Sequence, residues 1–424
     1  MRYHTRRIIT MKRILSIAVA LLAILTGASA QNGYTLKEVV ILSRHNIRSP
    51  LSGGGSVLSR ITPHQWHEWT APPSHLTRKG GVMETMMGQY FGIWLQDEGL
   101  FDGSPAPGEV HFYANSMQRT LATARYFLAG FMPTEDIVIQ HRFAPSRMDP
   151  VFNPRLTSDS PEFREDAMKQ IEAFGGRKGL AGVNRNLKES FRLLEKVLDM
   201  KDAPAAAGDT VSFGFDDTVI TLGMLEEPGM KGSLKMANSA ADALILQYYE
   251  EPDDLKASFG HDLSREDWEK IALIKDVYGD LLFTSPAVAA NVAFPLLRYI
   301  RDELTTPGRK FSFLCGHDSN IGSVTAALGV SEYSLPGTIE RKTPIGSKLV
   351  FEKWERDDGK MFARVNLVYQ STDDIRACRM ASNEYPPISY PLSFDGLEAD
   401  ADGYIPFDDL VARFDSSIAD YRKY

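Results

Sequence analysis

Val39-Val40-Ile41-Leu42-Ser43-Arg44-His45-Asn46-Ile47-Arg48-Ser49-Pro50 opens on an unbroken apolar run, Val39 to Leu42, and one serine later places a histidine between two arginines. Four consecutive aliphatic residues, with no polar alternation, predict a strand buried on both faces. A buried strand that stops in an imidazole and two guanidinium groups delivers positive charge and a nucleophile to one end of a sheet. Such a set suits a phosphoryl group. A phosphate monoester carries nearly two negative charges, and a nucleophile cannot approach phosphorus until fixed cations neutralise its oxygens. Arg44 and Arg48 can supply that charge, and His45 can attack.

Outward from this segment, short strand-like runs alternate with helical patterns, which predicts an α/β fold with a mainly parallel sheet flanked by helices. Val110–Ala114 and Phe311–Cys315 read as further strands. Thr77–Gln96, Met117–Leu128 and 320–328 read as helices, the first with Val82, Met86, Phe91 and Leu95 near one face. Leu349–Trp354 and Phe362–Tyr369 read as an antiparallel pair about Asp357-Asp358-Gly359. The α/β core is expected over residues 31–134 and 280–424. Residues 135–279 are expected to form an inserted, mostly helical domain, with helices over 187–198, 240–249 and 264–282; Ser264 and Asp267 resemble a capping box.

The first thirty residues stand apart. Arg6, Arg7, Lys12 and Arg13 precede an apolar stretch from Ile14 to Leu25, and Ala28-Ser29-Ala30 precede Gln31, the layout of a secretory signal peptide cut after Ala30. The stretch is shorter than the ~20 apolar residues a membrane-spanning helix needs. Removal of residues 1–30 takes five basic residues and no acid, leaving 42 basic against 55 acidic residues and a formal net charge of −13. That balance argues against nucleic acid as a partner, while a compact basic cleft can still hold a small anion by local focusing. No other apolar run approaches spanning length, so no membrane association is expected after cleavage, and a periplasmic or secreted location follows. Cys315 and Cys378 are the two cysteines, and Cys315 lies inside the apolar run Phe311–Cys315; two unpaired thiols are expected.

Each predicted core strand finishes in chemically useful residues: Arg44-His45 with Arg48, then Asn115 to Arg119, then Gly316-His317-Asp318. In open α/β sheets ligands bind beyond the carboxyl ends of the strands, so these segments have a common place to meet. Taken singly each has a plain structural reading: a satisfied histidine, a surface arginine, a helix start with an acidic first turn. Three such segments, each after an apolar run, predict a site.

R-H-N-I-R-S-P at 44–50, S-M-Q-R-T at 116–120 and G-H-D-S-N at 316–320 resemble the histidine acid phosphatases. The usual first motif of that family is R-H-G-x-R-x-P, from which Asn46 departs. L-T-R-K-G-G, M-D-P-V-F-N-P, L-Q-Y-Y-E and T-P-I-G-S-K-L-V-F extend the likeness over nearly the whole mature chain, which is most similar to the glucose-1-phosphatase subgroup, itself bearing Asn at this position. The resemblance implies a phosphoglycerate-mutase-like core and an exported acid phosphatase for sugar phosphates such as glucose 1-phosphate. It implies that His45 forms a phosphohistidine which water then hydrolyses. Arg44, Arg48, Arg119 and His317 would hold the phosphoryl oxygens, and Asp318 would protonate the leaving alcohol. No metal or other cofactor is implied; the sequence lacks H-E-x-x-H, and His64 and His67 are expected to pack or to face solvent. The low cysteine count departs from these relatives, which usually carry several disulfides.

Glu227, in Glu226-Glu227-Pro228-Gly229, matches a segment that in the glucose-1-phosphatase-like members sends an acidic residue toward the substrate. A carboxylate there would accept sugar hydroxyls and repel a second phosphate; a solvated turn glutamate is the plain alternative. An inositol-polyphosphate (phytate) phosphatase on the same scaffold is the rival activity, and a phosphosugar-binding protein without turnover is the rival class. A cytosolic phosphoglycerate mutase fits less well, because the leader directs export.

Overall fold

Strand β1 (Tyr34–Arg44) lies at the centre of a sheet, with β6 (Phe311–Gly316) parallel on one side and β7 (Lys348–Arg356) antiparallel on the other. The computed structural model describes residues 33–52, 56–204 and 212–423, so the expected signal peptide at 1–30 lies outside the described residues. Beyond β6 come β2 (Val110–Ala114) and the short β3 (Ile139–Gln140), both parallel; beyond β7 comes β8 (Met361–Tyr369), which pairs with both β9 (Ile388–Pro391) and β10 (Ile405–Pro406).

The sheet is therefore mixed. Its parallel half is β1-β6-β2-β3, while the other half is antiparallel because β7 returns into β8 by a tight turn too short for a helical crossover. Gly359 holds a φ of 78° in that turn, and Arg356 N–H donates to the Lys360 carbonyl at 2.9 Å.

Burial on both faces explains the unbroken apolar run. Val39 and Ile41 pack with Phe91, Phe127 and Phe313 on one side of the sheet; Val40 and Leu42 pack with Leu297, Leu314 and Phe414 on the other. The first side is covered by the helices Arg78–Asp97 and Gln118–Phe131. They cross closely at Gly88, where a Cβ would sit 2.1 Å from the Phe127 carbonyl oxygen. Pro286–Thr305 and Phe407–Asp420 cover the second side.

A third core is built mainly from the helices Pro161–Ala173, Lys188–Val197, Ser233–Glu250 and Arg265–Phe283, around Phe191, Leu234, Tyr249 and Trp268. The Ser264–Asp267 capping box is formed, with Ser264 Oγ accepting from Asp267 N–H at 3.2 Å and Asp267 Oδ2 accepting from Ser264 N–H at 3.0 Å. Helix Arg265–Phe283 runs through position 280, and Pro286–Thr305 supplies side chains to the second and third cores alike. A two-stranded hairpin, β4 (Val219–Thr221) and β5 (Gly229–Lys231), interrupts the helices. Cys315 is buried in β6, Cys378 is half-buried, and both thiols are free. Among the described residues no single helix is long and apolar enough to cross a membrane.

Candidate active site

The parallel register sets Arg44 beside Gly316 and Ala114 beside Cys315, so the chain leaves β1, β2 and β6 at one edge of the sheet. His45 N–H donates to the Gly316 carbonyl at 3.1 Å and Asn115 N–H to the Cys315 carbonyl at 2.9 Å, tying the three exits together. The helices Gln118–Phe131 and Asp318–Ala327 begin there, and the positive ends of their dipoles favour an anion. The segment after β1 is pinned to the start of helix Arg78–Asp97: Ser49 N–H donates to His75 O and Thr77 N–H to Ile47 O, both at 2.9 Å. Gly80 permits that approach, since a Cβ there would lie 2.4 Å from the Ile47 carbonyl oxygen.

His45, Arg48, Arg119, Glu227, His317 and Asp318 all line one cavity of about 1280 Å³. The His45 and His317 rings meet edge to face, centroids 5.5 Å apart. His45 Nδ1 lies 2.8 Å from its neighbour's carbonyl, Asn46 O. A carbonyl can only accept, so the proton is assigned to Nδ1, and Nε2 keeps its lone pair. Burial first, then the charges of Arg119, His317, Arg48 and Arg44, push the His45 pKa well below 6.5.

His317 is assigned the same way. Asn115 Oδ1 accepts from Asp149 N–H at 2.8 Å, which fixes the amide so that Asn115 Nδ2 donates to His317 Nε2 at 2.7 Å. The proton then sits on Nδ1, which faces Arg119 Nη2 at 3.4 Å. Two donors meet there, and an acceptor between them would serve both.

Three further charges, unforeseen in the sequence, complete the site with Asn46's partners below. Arg48 Nη2 pairs with Asp242 Oδ2 at 2.9 Å, and Lys275 Nζ bridges Asp242 Oδ1 and Glu340 Oε1, each at 2.9 Å. Glu340 Oε1 takes Arg44 Nη1 at 2.9 Å, and Arg44 Nη2 reaches Asp318 Oδ2 at 3.3 Å. Cation and anion alternate along this chain, so its three cations are matched by its three carboxylates. Arg44, 1 % exposed, lies beneath the cavity floor, while Arg48, 9 % exposed, reaches its wall. Arg119 is the surplus cation: it has no ion pair among the described residues, and its Nε is buried without a partner. Burial above all, then Arg48, lowers its pKa to about 10.

Asp318 opens into the cavity with 46 % of its side chain exposed, and its Oδ1 accepts from Ser319 N–H at 2.9 Å. Partial burial raises its carboxyl, but Arg44 first and Lys275 next outweigh this and keep it below the usual range. A phosphate dianion beside those cations would offset them and lift it.

Asn46 turns away from the cavity. Its Nδ2 donates to Glu84 Oε2 at 2.8 Å and its Oδ1 accepts from Ile47 N–H at 2.8 Å, while Glu84 Oε1 pairs with Lys348 Nζ at 2.7 Å in full burial. A glycine at this position would leave one buried Glu84 oxygen without its donor.

Glu227 sits in the β4–β5 loop. Leu156 N–H donates to Glu226 O and its carbonyl accepts from Leu225 N–H, at 2.9 and 2.7 Å, which fixes the register and places Glu227, not Glu226, on the cavity. In the amide orientation that satisfies both neighbours, Asn153 donates to Glu227 Oε1 at 2.9 Å and accepts from Arg155 Nε at 2.8 Å. Burial raises the Glu227 pKa, against Arg155 and Arg119. Asp242 was the most legible of the missed residues, being the one charge in the mostly apolar helical stretch 240–249.

Residues 35–171 match the model of the histidine phosphatase superfamily, branch 2. The chain is 39 % identical over 420 residues to a glucose-1-phosphatase of Salmonella typhimurium, covering 94 % of this chain and 97 % of that one. It is 37 % identical to a glucose-1-phosphatase of Providencia rettgeri, covering 91 % and 93 %. The apo phytase of Hafnia alvei superposes with a TM-score of 0.83 at 27 % identity, covering 92 % and 98 %. With the sheet edge, the paired histidines and the arginine cluster all in the segments that carry this likeness, the chain belongs to branch 2 of the histidine phosphatase superfamily, a family of phosphate monoester hydrolases.

Proposed function

We propose that the protein hydrolyses glucose 1-phosphate and related sugar phosphates, forming a phosphohistidine on His45. The observation that carries this reading is Arg119. It is a half-buried guanidinium, its Nε buried without a partner and with no ion pair among the described residues, facing the Nδ1–H of His317 across 3.4 Å, beside a His45 whose free nitrogen is Nε2. A phosphoryl oxygen is the acceptor these donors lack.

In the first step His45 Nε2 attacks phosphorus, the bond to the sugar oxygen breaks in line, and Asp318 gives its proton to the departing alkoxide. In the second, water attacks the phosphohistidine, Asp318 takes a proton from it, and inorganic phosphate leaves. Arg48, Arg119 and His317 donate to the equatorial oxygens, while Arg44 supplies charge from below. The low pKa of His45 keeps it a nucleophile in mildly acidic medium. Glu227 faces the sugar and disfavours further phosphates. The leader sequence supports action outside the cytoplasm, in the periplasm or beyond.

One observation favours a second reading, a phytate phosphatase: the cavity of about 1280 Å³ exceeds the roughly 300–1,000 Å³ of ordinary small-molecule sites. Phosphate release from glucose 1-phosphate and from inositol hexakisphosphate, with His45→Ala as blank, separates the two. Higher kcat/KM on the sugar phosphate is expected; higher kcat/KM on the inositol ester would overturn the assignment of Glu227.

A further inference from the structure

His64, Asp199 and His261 come from three remote parts of the chain, yet their nearest ligand atoms lie within 4.8 Å of one another. Asp199 Oδ2 is 2.8 Å from His64 Nε2 and 3.3 Å from His261 Nε2. We propose that these residues form a binding site for a divalent transition ion of the zinc class, outside the active site.

Two imidazole nitrogens and one carboxylate oxygen are the ligands that favour zinc, nickel or copper over magnesium or calcium. Tetrahedral Zn²⁺ with ligands at about 2.0–2.2 Å holds them roughly 3.4 Å apart, so small side-chain movements suffice here. The side chains are 22–31 % exposed, which leaves a path for the ion and room for water as fourth ligand.

The surroundings brace the cluster. His64 stacks on Phe259, centroids 4.9 Å apart, and Trp66 meets the same ring edge-on at 5.1 Å. Asp199 and Phe259 both hold left-handed backbone, with φ of 45° and 55°. An aromatic residue rarely adopts that conformation, and the cluster gains its shape from it. As a set of hydrogen bonds alone, one carboxylate oxygen accepts from two imidazole Nε2–H groups; a metal ion would instead take a lone pair from each of the three, with the imidazole protons on Nδ1.

Such an ion would join segments 135 and 62 residues apart in a chain whose two thiols are free, and clips across long loops restrict the unfolded chain most. The segment bearing His64 begins at Ser56–Leu58, which line the substrate cavity, and Trp66 Nε1–H donates to Leu58 O at 2.9 Å. The clip would therefore steady one wall of the cavity without taking part in phosphoryl transfer.

The test uses the mature protein, stripped with chelator and titrated at neutral pH with Zn²⁺ against a chromophoric competitor, with Co²⁺ as a spectroscopic probe. Wild type should bind one equivalent, give the visible bands of tetrahedral Co²⁺ and gain a few degrees in Tm. Asp199→Asn, which tolerates the left-handed turn, and His261→Gln should lose the stoichiometric binding, the bands and the Tm response; His141→Gln, at an exposed histidine elsewhere, should keep all three. Absence of binding in wild type, or its persistence in both cluster variants, would overturn the proposal.

Discussion

Replacing Asp318 by Asn should separate acid catalysis from phosphate binding. The amide keeps the acceptor for Ser319 N–H, now at 2.9 Å from Oδ1, so the start of helix Asp318–Ala327 should survive. It removes the carboxylate 3.3 Å from Arg44 Nη2, leaving the cavity more positive by one charge. Phosphate binding should be unchanged or tighter, and KM should not rise. The loss falls on kcat, because the alkoxide must now leave unprotonated. General acids contribute about 10²–10⁴, which is ~2.7–5.4 kcal/mol at 1.36 kcal/mol per decade. Steady-state kinetics on glucose 1-phosphate should show that loss, while 4-nitrophenyl phosphate, whose leaving group needs little protonation, should lose tenfold at most. Equal losses on both substrates would refute the role and make Asp318 a shaper of the phosphate site.

Other perturbations test the charge network and the pH behaviour. Lys275→Met leaves Asp242 and Glu340 facing each other without the cation each contacts at 2.9 Å; calorimetry should show a loss of about 3–5 kcal/mol, as for one half of a buried pair, with a rise in KM for every ester. Glu227→Gln should narrow the preference for glucose 1-phosphate over inositol hexakisphosphate by roughly tenfold, as expected for removing one like-charge contact, and an unchanged ratio would remove Glu227 from specificity. Burial pushes Asp276 up to about 7 and Asp280 up to about 6. A carboxyl whose folded pKa is raised gives stability that is full below its unfolded pKa and lost as pH rises through the folded value. The Tm of Asp276→Asn/Asp280→Asn should therefore gain on wild type between pH 5.5 and 7.5, and a constant difference would contradict those shifts.

The parts of the fold with local signals were legible. β1, β2 and β6 are apolar runs, and Ser264–Asp267 carries its own capping pattern. The carboxyl edge of the sheet could be foreseen because parallel strands must end together. The hairpin Val219–Lys231 was hidden by strands of three residues each, too short to show alternation. Helix Pro286–Thr305 was hidden by prolines at its first position and at Pro295. In the site, His45, His317 and Arg119 stand at strand ends or helix starts, where a reader looks. Asp242, Lys275 and Glu340 do not: each is an ordinary charge in its own segment and gains meaning from partners 33 to 296 residues away. Asn46 departed from a motif, and its reason, the buried Glu84–Lys348 pair, required partners at two distant positions.

The central claim is covalent transfer to His45. Wild-type protein mixed with ³²P-labelled substrate, quenched in base within milliseconds and digested, should yield one labelled peptide, bearing phosphate on His45 that acid releases. The same experiment with His45→Ala should yield none. Turnover in wild type without any trapped label under single-turnover conditions, or label on a residue other than His45, would contradict the mechanism.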